Sequence, residues 1–133
     1  MDDEELLALA REASDDAYAP YSDYAVGAAL LTADGEVYTG CNVENANYSN
    51  SLHAEEVAVG SAVRDGHRSF ARLAVSSAAR DGVTPCGMCR QTLAEFCDDS
   101  FPVVIDGENG TGPVEYRLGT LLPNTITREM LDR

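Results

Sequence analysis

The spacing of apolar residues predicts that the chain begins with an amphipathic helix. Across residues 2–18 the apolar positions lie on one helical face, at Leu6, Leu9, Ala10, Ala13 and Ala17. Acidic residues lie at the start of this segment, where the helix dipole favours negative charge, and Pro20 marks a stop. The first predicted element is therefore a helix that buries one face against a core.

Two pairs of strand-like segments predict two antiparallel hairpins. Residues 24–32 and 36–42 form the first pair, because the Asp34-Gly35 dipeptide between them is a strong hairpin signal. Residues 101–105 and 114–118 form the second pair, because the glycine-rich connector between them is too short for a crossover helix.

The middle of the chain predicts two helices separated by a strand. One helix covers residues 53–64 with Ser51 as its N-cap, and residues 72–76 form a short buried strand. Thr84 as cap and Pro85 as first helical residue start another helix, which runs to about residue 97. This order of elements predicts an α/β fold, a mixed five-stranded sheet covered by helices, in one domain over residues 1–133.

The charge composition argues against polynucleotide and membrane partners. The 133-residue chain carries 23 acidic residues against nine arginines, contains no lysine and has a net charge of −14. Nucleic-acid binding through counterion release needs a basic stripe, whereas these arginines are scattered singly. The acidic start is the opposite of a signal peptide, and no apolar run approaches the roughly 18 residues of a membrane span. We therefore expect a soluble, cytoplasmic protein.

A pair of cysteines, Cys86 and Cys89, points to metal or redox chemistry rather than a structural disulfide. A redox pair at a helix start fits this placement, although no second feature supports it. A structural zinc site needs four protein ligands, which Cys41 or Cys97 would complete. Cys97 lies on the apolar face of its predicted helix, where a buried inert thiol is favoured.

A third interpretation adds His53 and Glu55 to the cysteine pair. His53, Cys86 and Cys89 supply three ligands, the number that a catalytic zinc takes while its fourth position stays open. Glu55 lies two residues from His53, so both side chains reach one pocket only at the first turn of a helix. Both predicted helices point their positive ends at this site, which favours the two thiolates.

Together these residues form the H-x-E…P-C-x-x-C signature of zinc deaminases, and the chain resembles the small, single-domain class of the cytidine deaminase family. The resembling segments are APYS at 19–22, VGAAL at 26–30, GCNVENA at 40–46, HAE at 53–55, PCGMCRQ at 85–91 and LLP at 121–123. The resemblance implies a three-layer α-β-α sandwich that binds one Zn²⁺ per chain. It also implies hydrolytic deamination of cytidine and deoxycytidine to the uridines and ammonia, in pyrimidine salvage, with Glu55 as catalytic proton shuttle.

The resemblance further implies a substrate site and an assembly. Asn42 and Glu44 would bind the ribose hydroxyls, and strand geometry supports this pairing because residues two apart project to the same face. Tyr24, Tyr48 and Ala54 are the other substrate-binding candidates. Similar proteins of the small class are homotetramers whose active sites borrow residues from neighbouring chains.

Three positions depart from the family pattern. Glu56 stands where an arginine often offsets a third cysteine ligand, but two thiolates and a neutral histidine already balance Zn²⁺. Tyr24 stands where phenylalanine is common. Ile126 stands where the family usually has a phenylalanine that covers the base of a neighbouring subunit, so aromatic stacking is given up there.

Two other classes of protein remain compatible with the sequence. A zinc-stabilised binding module predicts a fourth protein ligand and metal-dependent folding without turnover. A thiol redox protein predicts a disulfide between Cys86 and Cys89, for which Glu55 and Asn42 would be irrelevant. Zinc stoichiometry combined with an ultraviolet assay on cytidine separates the three classes.

The acidic composition predicts that salt stabilises the protein. Like charges repel across the surface at 0.01 M ionic strength, where the screening length is about 30 Å, but far less at 1 M, where it is about 3 Å. We expect the melting temperature and the oligomer fraction to rise together between about 0.1 and 3 M KCl, measured by melting curves and sedimentation. An ordinary acidic protein changes little above about 0.15 M, so a flat response would contradict adaptation to a salty cytoplasm.

Overall fold

A mixed five-stranded sheet forms the middle layer of the computed structural model, which describes residues 1–131. The strands are β1 (Val26–Thr32), β2 (Val37–Cys41), β3 (Phe70–Ser77), β4 (Pro102–Asp106) and β5 (Pro113–Arg117). They lie in the order β2-β1-β3-β4-β5, with β3 and β4 parallel and the other neighbours antiparallel. Both predicted hairpins and the mixed sheet are confirmed.

Helices cover both faces of this sheet. The helix α1 (Asp3–Ser14) packs on one face, and α2 (Ala54–Arg64) and α3 (Gly87–Ala94) pack on the other. Two short helices, α4 (Leu118–Leu121) and α5 (Arg128–Leu131), follow β5. The expected three-layer α-β-α sandwich is confirmed. Within residues 1–131, no helix is long and apolar enough to cross a membrane.

Alternation along β1 divides the apolar core into two clusters. Ala28 and Leu30 pack with α2 and α3, whereas Ala29 and Leu31 pack against α1. Successive residues of a strand point to opposite faces, so a strand buried on both faces carries an unbroken apolar run. This explains why the segment around Ala28 contains no polar position until Thr32.

The first helix ends four residues earlier than the sequence predicts, at Ser14 rather than residue 18. Beyond Ser14 the backbone pairs with another part of the chain. The Tyr18 N–H donates to the Asn42 carbonyl at 2.9 Å, and the Tyr18 carbonyl accepts from the Glu44 N–H at 2.8 Å. This tertiary pairing with the segment after β2 replaces the last predicted helical turn.

The predicted cap of the second helix is wrong. His53, not Ser51, directly precedes α2, and its backbone N–H donates to the Glu56 carboxylate at 2.7 Å. The Ser51 hydroxyl instead accepts a hydrogen bond from the Asn45 N–H at 3.1 Å. Serine is a strong helix cap, but here the preceding loop uses its hydroxyl.

The predicted start of the third helix is also wrong. Helix α3 begins at Gly87 with Cys86 directly before it, so Thr84 and Pro85 lie outside the helix. The Thr84 hydroxyl accepts a hydrogen bond from the Arg90 guanidinium at 3.1 Å instead of capping the helix. Arg90, the fourth residue of α3, therefore binds the hydroxyl that the sequence predicts as the helix cap.

Gly40 of β2 allows the start of α2 to approach the sheet closely. A Cβ at this position would lie 2.3 Å from the Ala54 carbonyl oxygen and 2.7 Å from the Ala58 backbone nitrogen. Backbone atoms cannot swing away, so any side chain here must displace the helix start.

We expect Gly40→Ala to lower the free energy of unfolding by about 1–3 kcal/mol, the usual cost of overpacking a core. Gly60→Ala is the matched control, because a Cβ at Gly60 in α2 meets open space. That control should be neutral or stabilising by up to about 1 kcal/mol, since alanine favours helix. Urea denaturation measures both, and a Gly40→Ala protein as stable as wild type would contradict the close packing.

Candidate active site

Three potential metal ligands meet where α2 and α3 begin. His53 lies directly before α2, Cys86 lies directly before α3, and Cys89 lies in the first turn of α3. The His53 Nδ1 atom is 3.2 Å from Cys86 Sγ and 3.3 Å from Cys89 Sγ. All three ligand atoms lie within 4.8 Å of one another, although His53 and Cys86 are 33 residues apart in sequence.

This donor set fits a zinc ion. With Zn–S near 2.3 Å and Zn–N near 2.0 Å, neighbouring nitrogen and sulphur ligands of a tetrahedral site lie roughly 3.5 Å apart. The observed separations of His53 Nδ1 from the two sulphur atoms are close to that value. One nitrogen and two sulphur ligands also leave a fourth position open, as catalytic zinc sites require. His53, Cys86 and Cys89 are placed to hold one zinc ion.

The other two cysteines do not join this cluster. Cys41 ends β2, and Cys97 follows α3 and packs partly buried against the core. Burial raises the pKa of Cys97 to about 12 and raises the pKa of Cys41, and neither sulphur atom belongs to the group of three ligand atoms that lie within 4.8 Å of one another. Among residues 1–131, no fourth ligand completes a closed structural site.

Glu55 lies in the first turn of α2, beside the metal-binding cluster formed by His53, Cys86 and Cys89. Its side chain is only 6% exposed, and it lines the same cavity as His53 and Cys86. Burial raises the pKa of the Glu55 carboxyl, an effect that its own backbone N–H and the nearby His53 imidazole partly offset. A buried carboxyl group next to an open ligand position is suited to proton transfer.

A cavity of about 420 Å³ opens beside Glu55 and the metal-binding cluster. This volume falls within the range of small-molecule sites, roughly 300–1,000 Å³. Four of the five substrate-binding candidates from the sequence line it, namely Tyr24, Asn42, Glu44 and Ala54. The structure therefore gathers residues from three separate segments of the chain around one space.

Asn42 is held in the cavity wall by two backbone groups. Its Oδ1 accepts a hydrogen bond from the Val26 N–H and its Nδ2 donates to the Tyr24 carbonyl, both at 2.8 Å. An amide has two N–H donors and two lone pairs, so one of each remains free. Backbone groups at the start of β1 thus orient Asn42 while leaving it able to bind a ligand hydroxyl.

Glu44 is held by the loop that precedes β1. Its carboxylate accepts from the backbone N–H groups of Tyr21 at 3.0 Å and Ser22 at 3.1 Å, and from the Ser22 hydroxyl. These hydrogen bonds, that of the Ser22 hydroxyl most of all, keep the pKa of Glu44 below its ordinary value. Glu44 is therefore an ionised acceptor, which suits a ligand that donates a hydroxyl proton.

Two residues singled out from the sequence lie on the surface of this chain rather than in the cavity. Tyr48 belongs to a single 3₁₀ turn and is 72% exposed. Its ring packs edge-on against that of Tyr21, with the two ring centroids 5.7 Å apart. Ile126 is also exposed, and its carbonyl accepts a hydrogen bond from the Gln91 side chain at 3.0 Å. Within one chain, neither side chain can cover a ligand in the cavity.

Sequence analysis missed several residues of the cavity wall. The Ser22 hydroxyl supports Glu44, but the sequence pattern assigns this hydroxyl no role. Leu52, Val83 and Thr84 also line the cavity. Nothing in the pattern distinguishes an apolar residue of a cavity wall from one of the core, so Leu52 and Val83 carried no signal.

Comparison with known proteins agrees with this geometry. The family described as "Cytidine and deoxycytidylate deaminase zinc-binding region" matches residues 1–105, which include all three potential metal ligands. The chain belongs to the cytidine and deoxycytidylate deaminase family. Its zinc-binding cluster, its sheet and its helices are those of a deaminase domain.

Relatives of this family match nearly the whole chain. It is 47% identical to the cytidine deaminase of Sporosarcina psychrophila over 131 residues, which cover 98% of this chain and 96% of the relative. It is 40% identical to the cytidine deaminase of Halalkalibacterium halodurans, with 97% of both chains covered. The crystal structure of cytidine deaminase from Burkholderia pseudomallei matches with a TM-score of 0.88 and 40% identity, over 95% of this chain and 100% of that chain.

Removing one ligand tests the metal-binding cluster. We expect His53→Ala, Cys86→Ala and Cys89→Ala each to abolish stoichiometric zinc binding, because each variant keeps only two of the three ligands. Cys41→Ala and Cys97→Ala are matched controls and should retain one zinc per chain. Metal analysis of the purified proteins measures both groups, and loss of zinc from either control would show that the ligand set is wrong.

Proposed function

We propose that the protein is a zinc-dependent hydrolase that converts cytidine and deoxycytidine to uridine and deoxyuridine with release of ammonia, as in pyrimidine salvage. One observation carries the proposal: the metal-binding cluster, the buried Glu55 and the pair Asn42 and Glu44 all border one cavity. A nucleoside requires a reactive group for its base and a polar pair for its sugar, because the base must react while the sugar is held in place. The cytidine deaminases that the chain resembles support the same reaction.

His53, Cys86 and Cys89 would hold a zinc ion, which would lower the pKa of water toward 7 and so supply a nucleophile at neutral pH. In the overall reaction, the oxygen of one water forms a bond to C4 of the ring, and the bond from C4 to the exocyclic nitrogen breaks. One water proton ends on ring N3 and the other leaves with the amine as ammonia.

Glu55 moves both protons in this proposal. Its carboxylate accepts a proton from the attacking water, donates it to ring N3, and then carries the second proton to the departing amine. Its position in the first turn of α2, buried beside His53 and Cys86, supports this role because it borders both the metal ligands and the cavity. Burial also keeps bulk water from exchanging with the transferred proton.

Asn42 and Glu44 bind a sugar hydroxyl in this proposal. A hydroxyl that donates to the Glu44 carboxylate and accepts from the free N–H of Asn42 satisfies both side chains. Ribose and deoxyribose share the 3′-hydroxyl, which explains why both nucleosides are proposed as substrates. A ligand that lacks this hydroxyl leaves the free N–H of Asn42 and one acceptor position of Glu44 without a partner in the ligand, and binds more weakly.

Tyr24 and Ala54 contact the base in this proposal. Both line the cavity, together with the apolar side chains of Leu52 and Val83. Tyr24 offers an aromatic ring, and the methyl group of Ala54 leaves space for a planar base next to Glu55. These contacts place the reacting carbon beside the metal ligands rather than at the cavity mouth.

We further propose a homotetramer with shared active sites. Leu52 lines the cavity and is 48% exposed. Tyr21 directly precedes the lining residue Ser22 and is 50% exposed, and Tyr48, which packs against Tyr21, is 72% exposed. Clustered exposed apolar residues of this kind are typical of interaction surfaces. In such an assembly Tyr48 contacts the substrate of a neighbouring subunit, and the net charge of −14 on each chain opposes association at low salt.

A cytoplasmic location and a single domain over residues 1–133 complete the proposal. The site needs two thiolates, and all four cysteines are free, which suits a reducing compartment. Strands from the first and last thirds of the chain share one sheet, which favours one folding unit.

Replacement of Glu55 tests the proposed reaction. The zinc-loaded wild type should release ammonia from cytidine and deoxycytidine in high salt, measured directly and by ultraviolet absorbance. Glu55→Gln keeps the size of the side chain but cannot accept a proton, so we expect kcat to fall about 10²-fold or more, with zinc still at one per chain.

Glu95→Gln is the matched control, because Glu95 is exposed at the end of α3 and does not line the cavity. It should retain wild-type activity. Absence of ammonia release by the wild type from either nucleoside would reject the proposed reaction. Activity of Glu55→Gln within a few-fold of wild type would reject the proton-shuttle role alone.

A further inference from the structure

The guanidinium group of Arg90 contacts three acceptors around the start of α3. Its Nε donates to the Pro85 carbonyl at 2.7 Å, and its Nη2 donates to the Thr84 hydroxyl at 3.1 Å. Its Nη1 donates to the carbonyl of Leu121, the last residue of α4, at 2.7 Å. Arg90 therefore binds two consecutive residues on one side and anchors itself to a separate helix on the other.

The two residues that Arg90 binds directly precede the metal ligand Cys86. This turn lacks the usual ways of holding a helix start. Cys86 makes no side-chain capping hydrogen bond, because its sulphur faces His53 Nδ1. Pro85 is fully buried and has no backbone N–H. The guanidinium group satisfies the buried Pro85 carbonyl, which would otherwise lose its hydrogen bond.

The same turn serves both the metal site and the cavity. Thr84 and Cys86 line the cavity beside Glu55, and Cys86 Sγ lies 3.2 Å from His53 Nδ1. A displacement of the turn therefore moves a metal ligand and a cavity wall together. Shifts of about 1 Å at a reacting centre cost on the order of 10²-fold in rate, so the position of this turn matters for both.

We propose that Arg90 is a positioning residue that holds the turn from Thr84 to Cys86, and thereby sets the place of Cys86 Sγ in the metal-binding cluster. The planar fork of arginine binds two neighbouring acceptors and a third opposite acceptor at once, whereas the single ammonium of lysine cannot span them. The role in turnover rests on the proposed function, but the role in zinc affinity does not.

The experiment compares Arg90→Lys and Arg90→Ala with Arg68→Lys and Arg68→Ala in the zinc-loaded protein. Arg68 is a matched control, because its guanidinium donates to two backbone carbonyls, those of Val63 and His67, at 3.0 Å, and does not line the cavity. Competition with a metal chelator gives zinc affinity, and assays at saturating zinc give kcat and KM for cytidine. Thermal melting reports stability.

We expect both Arg90 variants to weaken zinc binding about 10- to 100-fold, the usual effect of losing a residue that orients a metal ligand. At saturating zinc, kcat should fall while the Arg68 variants stay within about twofold of wild type in zinc affinity and kcat. If Arg90→Ala does not fold, Arg90→Lys decides, because it retains the charge and the length of the side chain.

Wild-type zinc affinity in Arg90→Lys would overturn the proposal, since a positive charge alone would then suffice. A lower melting temperature in the Arg90 variants with unchanged zinc affinity would also overturn it, since the role would be purely structural. If the wild type does not act on cytidine, the proposed function fails, and the zinc comparison still decides the role of Arg90.

Discussion

The structure depends on the meeting of two helix starts above one face of the sheet. Because α2 and α3 begin at the same place, His53, Cys86 and Cys89 come within 4.8 Å of one another. Burial raises the pKa of Cys89, so its thiolate is unfavourable without compensation. Two positive helix ends and a bound divalent cation would supply that compensation, and the metal would link two helix starts that lie 33 residues apart in the chain, at residues 54 and 87.

Metal ligation and helix capping compete for the same positions, and other side chains hold the backbone directly before each helix. A helix start leaves backbone N–H groups without partners, which polar side chains usually bind. Here the residues before α2 and α3 are metal ligands. The Glu56 carboxylate binds the His53 N–H, and Arg90 holds the turn before Cys86. Gly40 completes the arrangement, since its missing side chain allows α2 to lie directly on β2.

The substrate side of the cavity follows a different rule, in which the backbone holds the polar side chains. Asn42 is bound by groups at the start of β1, and Glu44 is bound by the loop before it. Side chains fixed in this way lose little conformational freedom when a ligand arrives, which favours specific binding. Tyr48, by contrast, lies on the surface of the chain, where its ring can be buried only against another molecule.

The sequence by itself determined the α/β class, both hairpins and the potential metal ligands, because these depend on local signals. Residue periodicity specifies strands and helices, and the chemistry of a zinc site depends on residue types at short spacings, as in Cys86 and Cys89. Only the tertiary structure decided where helices begin and end. Tyr18 pairs with the segment after β2 instead of continuing the first helix, and the Thr84 hydroxyl binds Arg90 instead of capping α3. The pairing of Tyr18 with Asn42 and the support of Glu44 by Ser22 depend on hydrogen-bond partners far away in the chain, which no local pattern contains.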